Sequence, residues 1–171
     1  DLTTALRLVD VAAEIGADAV KFQTFKADKL VTAEAPQAAY QKQNMGRTQS
    51  QLEMLRRLEL SAESHVALVE RCRRRGITFL STPFDLDSAE LLVGLGLPAL
   101  KVSSGELTNL PYLRQLSALG VTLLVSTGMG TAAEVAAAVA ACADAPGTVL
   151  FHCVSAYPAP VEECNLRAIP A

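Results

Sequence analysis

Residues 100–106 read LKVSSGE, a short apolar run that passes into a lysine, two serines, a glycine and a glutamate. The same kind of ending recurs at residues 80–85 (LSTPFD), 124–130 (LVSTGMG) and 151–157 (FHCVSAY). In a parallel (β/α) architecture the carboxyl ends of the strands lie on one face, so these polar endings would meet there. Hydroxyl groups and lysines gathered on one face suit a small phosphorylated or carboxylated ligand.

Short apolar runs alternate with helical patterns along the whole chain. The periodicity predicts helices over residues 2–15, 50–59, 62–75, 88–94, 111–119 and 132–142. It predicts strands over residues 19–25, 78–81, 99–102, 122–125 and 149–154, which are apolar enough for a parallel sheet buried on both faces. Residues 26–47 are polar and rich in glutamine, and we expect a loop over the strand ends there.

Five strands are too few to close a (β/α)8 barrel, which needs eight βα units. The pattern also begins with a helix that no strand precedes. Two α/β folds fit these observations: part of such a barrel, or a smaller five-stranded doubly wound sheet. In either case we expect residues 1–171 to form a single domain.

The composition excludes several classes of function. The 171 residues carry a net charge of −3, which gives no electrostatic basis for binding nucleic acid. No segment is long and apolar enough to cross a membrane, and the first residues do not look like a secretory signal. The four cysteines form no Cys-x-x-Cys pair, which favours reduced thiols. We therefore expect a cytoplasmic protein that binds small molecules and neither nucleic acid nor a membrane.

Five motifs, in a fixed order, carry a more specific signal: residues 16–25 (GADAVKFQTF), 81–85 (STPFD), 101–106 (KVSSGE), 126–129 (STGM) and 152–158 (HCVSAYP). Together they resemble the sialic acid synthase family, which includes N-acetylneuraminate, legionaminic and pseudaminic acid synthases and a spore-coat polysaccharide enzyme. The resemblance runs from residue 2 to residue 169. It implies a partial TIM (β/α)8 barrel of about five βα units, with the first strand and the last two strands missing.

The resemblance also implies a reaction and the residues that serve it. The reaction is the condensation of phosphoenolpyruvate with an N-acylated amino sugar, such as N-acetylmannosamine, to a nine-carbon 2-keto sugar acid of the sialic acid type with release of phosphate. The positions that match the family's phosphoenolpyruvate site are Lys21, Thr82, Lys101, Ser104 and Ser126. Two cations and three hydroxyl groups are chemically suited to a ligand that carries both a phosphate and a carboxylate.

The predicted catalytic residues are Lys101 and Glu106. The carboxylate of Glu106 suits proton transfer or the orientation of a hydroxyl group, and its alternative role is to cap the following helix. The positions that resemble the sugar side of the site are Gln23, Phe84, Asp85, Ser155 and Tyr157. Two of these have alternative roles, since Asp85 could cap the helix near residue 88 and Tyr157 could pack in the core.

The family resemblance implies a divalent metal, manganese or magnesium, in the full-length enzyme, held by two histidines on strands that we expect to lie outside this chain. The two histidines present do not match those ligand positions. We predict that His65 is solvated on a polar helix and that His152 is a core residue in an apolar strand. The resemblance further implies a homodimer and a small antifreeze-like domain after the barrel, which we do not expect within residues 1–171.

Two other functions stay open. A Schiff-base aldolase on the same fold would use Lys101 or Lys21 as its nucleophile, although two lysines among donors for a phosphate argue against it. A non-catalytic fragment would bind an anion or a partner through strand edges, which we expect to be exposed near residues 20–23 and 149–154 because an unclosed barrel leaves its edges unpaired. We expect this chain alone to be incomplete as a synthase.

Overall fold

The computed structural model describes residues 1–35 and 50–169, which fall into two compact units divided between Phe79 and Leu80. The loop predicted over residues 26–47 contains a short helix, Ala27–Leu30, that the sequence pattern did not predict. Residues 36–49, which include the rest of that loop, lie outside the described residues. None of the helices in the described ranges has the length and apolar character that crossing a membrane requires.

The first unit contains α1 (Leu2–Glu14), β1 (Ala19–Thr24), α2 (Ala27–Leu30), α3 (Gln51–Arg56), α4 (Ala62–Arg75) and the start of β2 (Thr78–Pro83). Both long helices begin where a side chain accepts a backbone N–H that has no partner within the helix. Asp1 accepts from the Thr4 N–H at 2.8 Å, and Ser61 accepts from the Ser64 N–H at 3.1 Å. Helix α4 ends at Gly76, whose φ of 71° is left-handed and therefore favours glycine. The helices predicted over residues 2–15 and 62–75 are confirmed.

Helix α1 packs against α4. Val9 on α1 and Leu68 on α4 are both completely buried. At the rim of this contact the Asp10 carboxylate forms ion pairs with both Arg71 and Arg75, each with a nitrogen–oxygen distance of 3.4 Å. Apolar burial supplies most of the stabilisation, because ion pairs this close to solvent each contribute less than about 1 kcal/mol.

The two faces of β1 have different surroundings. Phe22 stacks on Phe79 with 5.6 Å between the ring centroids, and Thr24 contacts His65 on α4. Since successive side chains of a strand point to opposite faces, Lys21 and Gln23 lie on the other face, and both are exposed.

His65 is buried, so the prediction of a solvated histidine is wrong. Its Nδ1 lies 2.8 Å from the carbonyl oxygen of Ser61, which can only accept, so Nδ1 carries a proton. In the neutral ring Nε2 therefore accepts a hydrogen bond from the Thr24 hydroxyl group, also at 2.8 Å. Helix α4 is polar overall, but His65 faces the sheet and finds a partner 41 residues away in the sequence. Burial lowers the pKa of His65 below its usual 6.5.

This lowered pKa predicts a loss of stability on mild acidification. Below pH 6.5 the unfolded chain binds a proton at this position that the folded chain does not. The free energy of unfolding therefore decreases as the pH is lowered, until the folded pKa is reached. The slope from this one group is at most about 1.4 kcal/mol per pH unit. Urea unfolding between pH 7.5 and 5.0 measures it. We expect the slope to flatten in His65→Gln and to persist in His152→Gln, and equal slopes in the two variants would contradict the prediction.

The second unit contains the rest of β2, then α5 (Leu86–Gly94), β3 (Ala99–Val102), α6 (Leu110–Ser117), β4 (Thr122–Ser126), α7 (Ala132–Ala141) and β5 (Thr148–Phe151). Strands β3, β4 and β5 form a parallel sheet in that order. The three helices begin at side-chain caps supplied by Asp85, Asn109 and Thr131. The alternation of helices and parallel strands predicted for an α/β fold is confirmed.

The register of this sheet separates a buried apolar face from a more exposed face that carries Lys101 and Ser126, which we call the polar face. Lys101 pairs with Leu124, and Ser126 pairs with Phe151. Because Leu124 and Ser126 are two residues apart, Lys101, Ser126 and Phe151 share one face. On the other face the side chains that β3 and β4 contribute are buried, namely Leu100, Val102, Leu123 and Val125. The prediction of burial on both faces is wrong, since Lys101 and Leu124 are only half-buried and Phe151 is exposed.

Strand β5 is shorter than the predicted 149–154 and ends at Phe151. His152 follows it and is exposed, so the prediction of a core histidine is also wrong. The Nε2 of His152 donates to the carbonyl oxygen of Cys164 at 2.8 Å. At this edge of the sheet Val149, Leu150 and Phe151 are 41–46% exposed, as expected for residues 149–154.

Candidate functional site

Lys101 is the centre of the polar face of the sheet. Its Nζ donates hydrogen bonds of 2.6 Å to the Val102 carbonyl oxygen and to the Ser126 Oγ. The same Nζ lies 5.6 Å from the centroid of the Phe151 ring, within the range of a cation–π interaction. These contacts hold the ammonium group of a half-buried lysine above the carboxyl end of the sheet. A cation held in this way suits an anionic ligand.

The segments that follow β3, β4 and β5 meet at Gly128. The Gly128 N–H donates to the Ser104 Oγ at 3.0 Å. A Cβ at position 128 would lie 2.9 Å from that oxygen and would overlap the Ser155 Oγ, so a larger residue would displace both serine side chains. Ser104 and Ser155 are therefore adjacent to the same backbone position, and a hydroxyl group from each of two strand ends lies beside the end of β4.

Glu106 lies in a short 3-10 turn, Ser104–Glu106, and is half-buried. Its Oε2 accepts from the Nδ2 of Asn109 at 2.8 Å. Asn109, in turn, is the residue whose side chain caps α6. The alternative role of Glu106 as the helix cap is therefore wrong, because Glu106 orients the capping residue instead.

The end of β2 carries three of the predicted residues. Thr82 is buried, while Phe84 and Asp85 are half-buried. Asp85 caps α5, where it accepts from the Ser88 N–H at 2.9 Å and the Ser88 hydroxyl at 2.8 Å, so its alternative role is confirmed. The Tyr112 hydroxyl donates to the Pro83 carbonyl oxygen at 3.1 Å and fixes this turn. Burial raises the pKa of Tyr112, so the hydroxyl stays protonated at neutral pH.

The second unit brings four predicted residues together: Lys101 with Ser126, and Ser104 with Ser155 at Gly128. Tyr157 is 98% exposed, so its alternative role in core packing is wrong. Lys21 and Gln23 belong to the first unit, on the exposed face of β1. Although Lys21 is exposed by surface area, partial desolvation of its ammonium group lowers its pKa.

Two residues of this site were not predicted: Phe151 and Cys153. Cys153 is half-buried, and its Sγ donates to the Ser126 Oγ at 3.4 Å. Both lie within one of the polar strand endings, residues 151–157. The spacing of the polar strand endings indicates where such residues lie in the sequence. Without the register of β4 on β5, however, that spacing does not show which side chains share a face of the sheet.

The described residues do not fit the divalent metal that the resemblance implies. Across residues 1–35 and 50–169, no three His, Cys, Asp or Glu side chains are grouped so that they could hold a metal ion. Both ring nitrogens of His65 are engaged by protein groups, and the Nε2 of His152 is bonded to a carbonyl. We therefore derive no chemical step from a metal.

Comparison with known proteins places this arrangement in a family. The model of the NeuB family matches residues 8–171. The N,N'-diacetyllegionaminic acid synthases of Legionella pneumophila and Campylobacter jejuni are 46% and 43% identical, and each alignment covers 99% of this chain but only 49% and 52% of the relative. A crystal structure of N-acetylneuraminic acid synthetase from Leptospira borgpetersenii in complex with citrate superimposes with a TM-score of 0.82 at 29% identity, over 99% of this chain and 55% of that chain. The chain thus spans about half the length of the relatives it matches, and it belongs to the NeuB family.

Proposed function

We propose that this chain carries the anion-binding part of an enzyme that condenses phosphoenolpyruvate with an N-acylated amino sugar. The product is a nine-carbon 2-keto sugar acid. A carbon–carbon bond forms between the two substrates, one water is consumed and inorganic phosphate is released. Membership of the NeuB family supports this proposal, as does the similarity to two N,N'-diacetyllegionaminic acid synthases.

The observation that carries the proposal is the Lys101 ammonium group held between Ser126 and the ring of Phe151. Its position is set by protein acceptors before any ligand arrives, so little reorganisation is needed when an anion binds. Phosphoenolpyruvate offers both a carboxylate and a phosphate to such a site.

We assign roles to the other polar groups from their positions. The hydroxyls of Ser104 and Ser126 would donate to the phosphoenolpyruvate oxygens, and Ser155 would reach the sugar. Glu106 would orient a hydroxyl group or transfer a proton. Thr82, Phe84, Asp85 and Tyr157 in the second unit, and Lys21 and Gln23 in the first, stay predictions of the family resemblance. The divalent metal and the homodimer of the full-length enzyme also stay predictions.

The acceptor sugar can be narrowed from the products of the two legionaminic acid synthases. Phosphoenolpyruvate contains no nitrogen, so both acetamido groups of N,N'-diacetyllegionaminic acid must come from the sugar. Because these relatives are 43–46% identical to the chain, we propose an acceptor with two acetamido groups. A higher kcat/KM with such a sugar than with N-acetylmannosamine is the expected result, and the reverse preference would contradict it.

A Schiff-base aldolase is the weaker alternative. Lys101 donates two hydrogen bonds of 2.6 Å to protein oxygens and lies among hydroxyl groups suited to a phosphate, which argues against this alternative. A Schiff base needs the unprotonated amine as nucleophile. Borohydride treatment in the presence of pyruvate would trap a covalent adduct on Lys101 only if this alternative were correct.

Lys101→Met tests the proposal in the full-length protein. The change removes a charge-assisted contact worth about 1.5–3 kcal/mol, so kcat/KM for phosphoenolpyruvate should fall roughly 10- to 150-fold. Phosphate release measures it. The matched control is Arg114→Met, which removes a cation from the exposed surface of α6 and should leave the rate unchanged. If KM and kcat of Lys101→Met both stay within about twofold of the natural protein, the assignment is wrong.

A further inference from the structure

The Ser126 hydroxyl is contacted by two hydrogen-bond donors. The Lys101 Nζ donates to its Oγ at 2.6 Å, and the Cys153 Sγ donates to the same oxygen at 3.4 Å. A serine hydroxyl has two lone pairs and one proton. The two donors therefore occupy both lone pairs, and the hydroxyl proton must point in the remaining direction.

No protein group takes up that proton within the part of the chain that the structure describes. Among residues 1–35 and 50–169, no oxygen or nitrogen acceptor is hydrogen-bonded to the Ser126 hydroxyl, and the serine is buried. A buried hydroxyl proton without an acceptor is unfavourable unless a ligand supplies one. An anionic oxygen beside Lys101 would supply it.

We propose that Cys153 is a positioning residue for the anion site. Its thiol acts through Ser126: together with Lys101 it prevents the hydroxyl from rotating and directs the O–H toward the bound anion. This inference rests on the proposed function, in which that anion is phosphoenolpyruvate. Without the thiol, one lone pair of Ser126 is free and the hydroxyl can adopt orientations in which its proton misses the ligand.

The structure offers a matched control. Cys164 is also half-buried, and its Sγ donates to a carbonyl oxygen, that of Pro160, at the same 3.4 Å. This bond involves none of the residues of the anion site. Cys164→Ala therefore removes an equivalent thiol bond without affecting Ser126.

The experiment is a double-mutant cycle in the full-length protein, with phosphoenolpyruvate binding measured by calorimetry and folding checked by thermal unfolding. We expect Cys153→Ala to weaken binding about three- to tenfold and Ser126→Ala to weaken it at least as much. In the Ser126→Ala background, Cys153→Ala should have no further effect. Cys153→Ser, which restores a donor, and Cys164→Ala should both bind like the natural protein, and the KM for the sugar should not change.

The outcomes separate the inference from the proposed function. If the natural protein binds phosphoenolpyruvate but Cys153→Ala binds it equally well, or weakens it equally with and without Ser126, the inference is wrong and the proposed function stands. If the natural protein does not bind phosphoenolpyruvate, the proposed function fails and the inference fails with it. If Cys153→Ala does not fold, Cys153→Val can replace it, because valine has a similar volume to cysteine and no hydrogen-bond donor. We expect this variant to weaken phosphoenolpyruvate binding to the same extent.

Discussion

Gly128→Ala is expected to lower kcat/KM for phosphoenolpyruvate about a hundredfold, because it displaces the strand ends that form the anion site. The new Cβ would lie 2.9 Å from the Ser104 Oγ and would overlap the Ser155 Oγ. Rotating Ser104 away does not relieve this without cost, since its oxygen accepts the Gly128 N–H. Overpacking of this kind also lowers the free energy of unfolding by about 1–3 kcal/mol.

The matched control for this substitution is Gly94→Ala. Gly94 ends α5 and is not left-handed, and a Cβ added there would point into open space, so alanine should be tolerated. The collision at position 128 can also be partly removed: Ser155→Gly in the Gly128→Ala protein should recover some activity, because one of the two overlapping oxygens is gone. A kcat/KM for Gly128→Ala within about twofold of the natural value would show that the three strand ends do not form the site.

Leu113→Ala is expected to lower the free energy of unfolding by about 2–5 kcal/mol. Leu113 is completely buried on α6, the helix that packs against α5, α7 and β4. Replacing its isobutyl group with a methyl group leaves a cavity where these elements meet, and the loss exceeds the transfer free energy alone because the surroundings relax only in part. Urea unfolding measures the change, and the m-value should stay constant.

Leu166→Ala provides the comparison for Leu113→Ala. Leu166 belongs to the same unit but is 66% exposed, so its truncation should change the free energy of unfolding by less than about 0.5 kcal/mol. Equal losses at the two positions would mean that α6 does not form the centre of the core.

Local patterns determined most of the helices and strands and the parallel α/β class. Helix α4 is an example: Ser61 accepts the Ser64 N–H and Gly76 supplies the left-handed residue, and both effects act within one turn of the helix. Lys101 could also be identified without a structure, since a lysine within an apolar strand requires a polar partner and a family motif surrounds it.

The tertiary structure decided what depends on distant partners. His65 lies on a helix with a polar pattern, yet it is buried because Thr24 offers it a hydrogen bond from β1. His152 lies in an apolar run, yet it is exposed because the ladder of β5 stops at Phe151. Likewise, only the register of β4 on β3 and β5 brings Lys101, Ser126 and Phe151 to one face, and only the approach of Ser104 and Ser155 fills the space beside Gly128. Helix capping and hydrophobic periodicity depend on residues that are close together in the sequence, so they can be recognised from the sequence directly. Burial and contact across strands arise from segments that are distant in the sequence, and the folded chain alone determines which of them meet.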